Sequence, residues 1–227
     1  MMTPSITLYS IPPSQNAVRT EIALLEKGLP FEKIPVDLFK GEHRQPPLAD
    51  LNPRQQVPTL VYDLGGERIV VYESIATIRF LDDMHPEPAL MPPVSEPRRR
   101  AQAIMRIEEF QAKLDPANLF GSVVFGRQGV AELQPRIDRL RAELEQWESY
   151  VAGQTYLAGD QFTLADIAVF PLLMHFEALG FDYPARTPGL AAYIDACKQR
   201  SSVQRSGWLD AFAAFVRQRA PEAVLAG

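Results

Sequence analysis

Two short segments combine residue types that suit the binding of a small extended ligand, and the first is Val57-Pro58. This pair opens an apolar run, where a cis peptide bond is tolerated because the tertiary amide lowers the cost of that form to about 0.5–1 kcal/mol. A cis bond here would leave the N–H and C=O of Val57 unpaired at the end of a strand. An extended ligand backbone could pair with both groups, as peptides do at an open sheet edge.

The second segment, Tyr72-Glu73-Ser74, follows the next predicted strand. Glu73 supplies a carboxylate for an ammonium group, and Ser74 is predicted to open a helix whose unpaired N–H groups suit a carboxylate. The charged end of one amino acid would satisfy both. Together the two segments predict a site for a small peptide with an exposed amino-acid end.

The bulk composition is that of an ordinary globular protein, with 227 residues, 46% of them hydrophobic, and a formal net charge of -5. A protein with this net negative charge does not have the positive electrostatic field that binding to nucleic-acid phosphates requires, so we expect no nucleic-acid partner. We find no secretory pattern at the start and no apolar run long enough to span a bilayer. The single cysteine, Cys197, excludes internal disulfides, and no residue spacing suggests a metal. We expect a cytoplasmic protein without a metal cofactor and without membrane insertion.

The apolar pattern divides the chain into two predicted domains, residues 1–83 and residues 98–227, joined by a proline-rich linker over residues 84–97. In the first domain the order is strand, helix, strand, loop, hairpin, helix, with Gly65-Gly66 as the hairpin turn. The second domain is predicted to be helical throughout, and Thr163 with Asp166 forms a capping box in it. Its clearest amphipathic helix repeats an apolar residue every three or four positions: Leu133, Ile137, Leu140, Leu144, Trp147 and Val151.

Three segments in this order resemble the cytosolic glutathione transferase superfamily, and in particular its bacterial theta-like and nu-like members: residues 52–60, Tyr72-Glu73-Ser74 and residues 159–166. The resemblance covers nearly the whole chain. It implies an α+β fold in which an N-terminal thioredoxin-like domain of order βαβ-ββα precedes an all-α helical-bundle domain. It also implies a homodimer that binds glutathione as co-substrate along Val57, beside a cis Pro58, with Glu73 and Ser74 holding the γ-glutamyl end.

The same resemblance places the residue that activates the glutathione sulfur between Leu8 and Ala17. Ser14 ranks first, because it aligns best with the serine of theta-like bacterial enzymes and its hydroxyl would donate to the sulfur and favour the thiolate. Asn16 ranks second, since its amide can also donate. Tyr9 ranks third, close to the hydroxyl position of the tyrosine-type classes.

The glycine end of glutathione carries another carboxylate, and residues 39–45 resemble the family loop that meets it. His43, Arg44 or Gln56 could serve there. Gln55 stands where the theta-like pattern has glycine, and a side chain there would alter the loop or the approach of the ligand. Glu108 falls roughly where theta-like enzymes place an acid that reaches the glutathione amine of the other subunit.

We expect the acceptor site where the two domains face each other, lined by apolar side chains of the long helix that starts near Arg99: Phe110, Leu114, Phe120 and Val123. The same four residues would also fit a helical core. An apolar lining suits a small hydrophobic electrophile.

The predicted activity is that of a glutathione transferase, in which the thiolate of bound glutathione attacks this electrophile. A glutathione-dependent disulfide reductase without a catalytic cysteine is the alternative that Asn16 favours. A non-catalytic protein that binds glutathione through the same fold is the third hypothesis.

Overall fold

The computed structural model describes residues 3–226, which form two compact units. The first unit comprises residues 3–89 together with residues 201–212, and the second comprises residues 90–200 and 213–226. Side chains attach the late segment to the first unit: Ser202 donates to a Glu26 carboxylate oxygen at 2.5 Å, and Arg205 donates to the Leu25 carbonyl at 3.1 Å. The predicted linker therefore lies near one boundary, and a second boundary lies late in the chain.

Within residues 3–226 the first unit contains a four-stranded mixed sheet in the order β2-β1-β3-β4, where β1 is parallel to β2 and antiparallel to β3. The order βαβ-ββα is confirmed. Its strands and helices are β1 (Ser5–Ser10), α1 (Gln15–Glu26), β2 (Glu32–Pro35), a 3-10 turn (Glu42–Arg44), α2 (Leu48–Leu51), β3 (Thr59–Leu64), β4 (Glu67–Tyr72) and α3 (Ser74–Met84).

The hairpin between β3 and β4 turns at Gly65-Gly66, as the sequence predicts. Leu64 pairs with Glu67, so the loop has two residues, and both glycines have positive φ angles of 62° and 90°. A two-residue loop of this kind needs positive φ at both central positions, which glycine adopts without a steric penalty. The turn fixes the register that brings β4 to its end at Tyr72, immediately before Glu73.

The core of the first unit lies where α1 and α3 pack together against the sheet. Alternation along β1 buries Ile6 and Leu8, and β3 buries Leu60. β1 and β4 run in the same direction, because each is antiparallel to β3. The helices that follow them, α1 and α3, therefore begin at the same end of the sheet, which is where the predicted site residues occur.

The second unit is helical, as predicted. Its elements are α4 (Pro97–Glu109), which continues into a π-helical turn (Phe110–Leu114), α5 (Phe120–Val124), α6 (Val130–Val151), α7 (Leu164–Ala178), α8 (Tyr183–Arg186) and α9 (Pro188–Lys198). α10 (Ser201–Arg205) belongs to the first unit, and the residues of α11 (Trp208–Arg219) are divided between the two. The buried residues of α6 are the six of the predicted apolar stripe.

The linker has an anchor at each end. Buried Lys27 forms an ion pair with Asp82 and donates to the carbonyls of His85 and Pro88, both at 2.6 Å. Farther along, the Leu90 carbonyl accepts from the Leu164 N–H at 2.9 Å, within the second unit. These contacts explain why the boundary between the units falls between residues 89 and 90.

In the described part of the chain, no helix combines the length and the apolar character needed to cross a bilayer. Residues 3–226 also contain no group of three or more His, Cys, Asp or Glu side chains arranged to hold a metal ion.

Candidate functional site

A cleft of about 440 Å³ opens in the first unit, next to the start of α1. It brings together six of the residues predicted from the sequence and adds three others, and its lining consists of Ser14, Asn16, Leu38, His43, Arg44, Arg54, Gln55, Gln56 and Val57. These residues come from three separate stretches of the chain. The cleft therefore assembles polar donors that only the fold brings into contact range.

The backbone before Val57 is fixed by hydrogen bonds, while the polar backbone groups of Val57 itself are not paired. The Val57–Pro58 bond is cis, as predicted, and within residues 3–226 the Val57 N–H and C=O have no hydrogen-bond partner. Asn52 and Thr59, both buried, donate to the Gln56 carbonyl at 3.0 and 2.9 Å. The preceding peptide is thus fixed, while the polar groups of Val57 suit an extended ligand backbone. Asn52 lies in the motif of residues 52–60, but this supporting role was not predicted from the sequence.

Ser14 is both a helix cap and a possible donor. It is the N-cap of α1, and its oxygen accepts from the Ala17 N–H at 3.2 Å. A hydroxyl carries one hydrogen and two acceptor lone pairs, so this bond leaves the hydrogen available for an acceptor in the cleft. The capping role and the predicted donor role are compatible, because the first uses a lone pair of the oxygen and the second its hydrogen.

Asn16 has a fixed amide orientation. Its Oδ1 accepts from Nη1 of Arg19, one turn farther along α1, so the Nδ2 hydrogens point away from that bond. Asn16 is exposed and lines the cleft, whereas Arg19 is 1% exposed. Arg19 was not predicted as a site residue, although a cation on the apolar side of a short amphipathic helix is a signal for one.

Tyr9 does not line this cleft. It lies half-buried on β1, opposite Ile34 and Thr59 in the neighbouring strands. Ser14 and Asn16 are the candidates that the structure brings together.

One of the two residues predicted to hold the γ-glutamyl end of the ligand, Glu73, has a strained backbone. Glu73 is exposed and has φ of 68° and ψ of 113°, and its carbonyl accepts from the N–H and hydroxyl of Thr77 at 2.9 and 3.0 Å. A positive φ in a residue with a side chain costs about 1–3 kcal/mol and is typical of ligand sites. Ser74 is 8% exposed, begins α3 and accepts from Arg19 at 3.3 Å. Neither Glu73 nor Ser74 lines the 440 Å³ cleft itself.

The opposite part of the cleft is basic. His43, Arg44 and Arg54 line it, and no carboxylate of residues 3–226 is part of its lining. The Nδ1 atom of His43 is buried without a hydrogen-bond partner. Arg54 is a second residue that the sequence analysis missed, although it lies in the same motif as Val57.

The residues predicted for the second unit lie partly on its surface and partly in its interior. Glu108 is exposed on α4. The four apolar residues named for the acceptor site are at most 5% exposed in that unit: Phe110, Leu114, Phe120 and Val123. Cys197 is fully buried, and burial raises the pKa of its thiol well above the usual range, which suits a core residue better than a nucleophile.

Comparison with known proteins decides the family. Residues 13–84 match the family model described as glutathione S-transferase, N-terminal domain, and residues 130–196 match the C-terminal domain of the same family. The chain is 32% identical over 209 residues to glutathione S-transferase 3 of Zea mays, a match that covers 88% of this chain and 92% of that protein. The chain belongs to the glutathione S-transferase family.

Two further similarities describe the range of this transferase's relatives. It is 31% identical over 208 residues to a maleylacetoacetate isomerase of Pseudomonas aeruginosa, covering 85% of this chain and 93% of that one. Its fold matches an epsilon-class glutathione S-transferase from the housefly Musca domestica, with a TM-score of 0.81 at 24% identity, covering 96% of this chain and 100% of that one. The transferase is thus an enzyme with glutathione-dependent activity, a thioredoxin-like first part and a helical second part.

Proposed function

We propose that this transferase binds glutathione in the 440 Å³ cleft and that Ser14 stabilises the glutathione thiolate. The supporting observation is the Ser14 hydroxyl, which accepts one backbone N–H at 3.2 Å and so has its hydrogen available on the cleft wall. A hydrogen bond to the charged form of an acid lowers its pKa. Ser14 acts as a donor to sulfur and removes no proton itself.

Backbone groups and charged side chains of the protein hold the peptide part of glutathione. The unpaired N–H and C=O of Val57, beside Pro58, bind the extended ligand backbone. Glu73 binds the ammonium group, and the Ser74 hydroxyl with the N–H groups at the start of α3 binds the γ-glutamyl carboxylate. His43, Arg44 and Gln56, which the sequence predicted, meet the glycyl carboxylate together with Arg54.

The reaction is a nucleophilic attack by the bound sulfur. The thiol first loses its proton to solvent, and the thiolate then uses a lone pair to form a carbon–sulfur bond with a hydrophobic electrophile. The displaced electron pair leaves with the leaving group or enters an activated double bond. Each unit by which the thiol pKa is lowered represents about 1.4 kcal/mol of preferential stabilisation of the thiolate. Phe110, Leu114, Phe120 and Val123 are at most 5% exposed, so in this proposal they support the acceptor site from the interior of the second unit rather than line it.

The proposal includes a cytoplasmic homodimer of the bacterial theta-like or nu-like type, without a metal. The sequence motifs, the single reduced cysteine and exposed Glu108 on α4 support it. In the dimer Glu108 reaches the glutathione amine bound by the other subunit, where its carboxylate adds to that of Glu73.

A disulfide reductase is the second candidate, and the orientation of Asn16 favours it. Because Arg19 occupies the Asn16 Oδ1, the Nδ2 group is available to donate to a sulfur in the same cleft. In this reaction the glutathione thiolate attacks one sulfur of a small-molecule or mixed disulfide, and the other sulfur departs as a thiolate. No protein cysteine takes part.

Two substitutions test the assignment of roles. We expect Ser14→Ala to raise the pKa of bound glutathione, measured by ultraviolet titration of the thiolate, with little change in Kd. Glu73→Ala should instead weaken binding by about 1–3 kcal/mol, because a charge-assisted hydrogen bond to the ligand ammonium group is lost, and should leave the thiol pKa nearly unchanged. Calorimetry supplies the Kd values.

Substrates distinguish the two candidate reactions. We expect turnover with a chloronitrobenzene acceptor, and Asn16→Ala should retain it if Ser14 is the donor. Turnover with a disulfide alone would replace the first proposal with the second. An unchanged thiol pKa in Ser14→Ala would contradict the role of Ser14 and transfer it to Asn16.

A further inference from the structure

Arg19 is a buried cation in a position that joins the thiol end of the proposed glutathione site to its γ-glutamyl end. It lies on α1 and is 1% exposed. A guanidinium group stays charged at every pH that a protein tolerates, and its burial is costly unless hydrogen bonds compensate for lost water. Such a residue is retained in a helix only where its contacts are specific.

The contacts of Arg19 span two helices. Its Nη1 contacts Asn16 Oδ1 and donates to Ser74 Oγ at 3.3 Å, and its Nη2 donates to Gln15 Oε1 at 3.4 Å. Gln15 and Asn16 lie in the first turn of α1, and Ser74 is the first residue of α3. One planar group therefore connects the helix start that carries the sulfur candidates with the helix start that follows Glu73.

We propose that Arg19 is a positioning residue that couples the thiol end of the site to the γ-glutamyl end, an inference that rests on the proposed function. It acts on both neighbours in the same manner. It occupies the acceptor oxygen of Asn16, which turns the Nδ2 donor toward the cleft, and the acceptor side of the Ser74 hydroxyl, which leaves the hydroxyl hydrogen for the ligand carboxylate. The guanidinium charge also lies one hydrogen-bonded atom from that carboxylate.

The geometry requires arginine at this position. A single guanidinium nitrogen, Nη1, contacts both Asn16 Oδ1 and Ser74 Oγ, and Nη2 fixes the plane of the group through Gln15. A change in position at Ser74 therefore shifts the orientation of Asn16 as well. Lysine would keep the charge but has no second nitrogen for Gln15 and no planar group that fixes the directions of the bonds to Asn16 and Ser74. Ordering one end of glutathione is thereby expected to favour the other end.

A double-mutant cycle tests the coupling. Kd for glutathione is measured in Asn16→Ala, Ser74→Ala and the double variant, each in the wild-type and in the Arg19→Gln background. With Arg19 present, we expect the double variant to differ from the product of the single effects by about threefold or more, as for residues in one network. In Arg19→Gln the effects should multiply independently, and Kd itself should rise about tenfold or more.

Two further variants make the result decisive. Arg19→Lys keeps the charge without the planar group, so it should bind better than Arg19→Gln and still lack the coupling. Arg68→Gln, at the exposed pair with Asp63 on β4, should retain both Kd and the coupling. The Tm of every variant is measured by thermal unfolding. If Arg19 had only a structural role, Arg19→Gln would lower Tm while Kd and the coupling stayed unchanged. That outcome, or a cycle without coupling in the wild type, overturns the inference. Failure of the wild-type protein to bind glutathione at all overturns the proposed function with it.

Discussion

Two arginines give the cleft its charge at the scale of single residues. The guanidinium groups of Arg44 and Arg54 have no hydrogen-bonded or ion-paired partner within residues 3–226, and both line the cleft with His43. The protein as a whole has a formal net charge of -5. A local cluster of cations on an acidic protein attracts an anionic ligand to one place, because charges of the same sign add in a cleft.

The first residue-scale prediction concerns Arg54. Arg54→Ala should weaken glutathione binding by about 1–3 kcal/mol, because a charge-assisted hydrogen bond to the glycyl carboxylate is lost. Calorimetry with glutathione and with its glycyl monoethyl ester makes the comparison. The ester lacks that carboxylate, so the wild type and Arg54→Ala should bind it equally. An equal loss for both ligands would show that Arg54 acts on some other part of glutathione.

Gln55 supports a second prediction at this scale. Its φ of 53° lies in the left-handed region, which agrees with the glycine expected there from the family pattern. An L-residue pays roughly 1–2 kcal/mol for this conformation, and glycine avoids that penalty but loses more entropy on folding. Gln55→Gly should therefore change the free energy of unfolding by less than about 1 kcal/mol. Gln55→Val, which is β-branched, should destabilise by roughly 2 kcal/mol or more in urea unfolding.

At the scale of secondary-structure elements, the start of α7 depends on a buried carboxylate. Asp166 accepts from the Leu157 N–H at 2.9 Å, the Thr163 N–H at 2.7 Å and the Thr163 hydroxyl at 2.9 Å. This confirms the predicted capping box. Burial nevertheless raises the pKa of Asp166 from 3.8 to about 6, because loss of solvent outweighs these hydrogen bonds.

The prediction for α7 is a pH dependence with a definite sign. A raised carboxyl pKa means that the folded state binds more protons than the unfolded state between the two pKa values, so stability falls as pH rises through that window. The free energy of unfolding of the wild type minus that of Asp166→Asn should fall between pH 3.8 and about 6. Above that window the difference should be flat. Urea unfolding over this range measures it, and a difference that rises with pH would mean that the hydrogen bonds dominate.

At the scale of the whole molecule, two large apolar side chains are exposed on α4. Ile104 is 44% exposed and Met105 is 47% exposed, close to Glu108 on the same helix. Exposed apolar side chains that lie together mark interaction surfaces. They are the natural place for the contact between subunits in the proposed dimer.

The corresponding prediction is an oligomeric state. Sedimentation equilibrium should give a mass about twice the 25.4 kDa of the chain, and Met105→Glu should reduce it to that of one chain, because a charge in a contact surface is left unpaired. Val94→Glu is the matched control, since Val94 is 80% exposed in the linker and should leave the dimer intact. A monomeric wild type would contradict the proposal.

Sequence patterns that involve only neighbouring residues were sufficient to predict most of the fold. The hairpin at Gly65-Gly66, the apolar stripe of α6 and the capping box of Thr163 and Asp166 each depend on neighbours within one turn or one helix. A sequence carries such information directly. The assignment of residues 201–212 to the first unit was not predictable in this way, because it depends on contacts of Ser202 and Arg205 with residues far away in the sequence.

The same division applies to the site. The sequence by itself determined the residue types, the cis bond at Pro58 and the family, since motifs and their spacing are properties of the chain. Only the tertiary structure decided that Ser14 and Asn16 share the cleft while Tyr9 lies outside it, and that Arg19 connects Asn16 to Ser74. The physical reason is that a hydrogen bond between two helices depends on how they pack, and packing is set by the whole core rather than by any one segment.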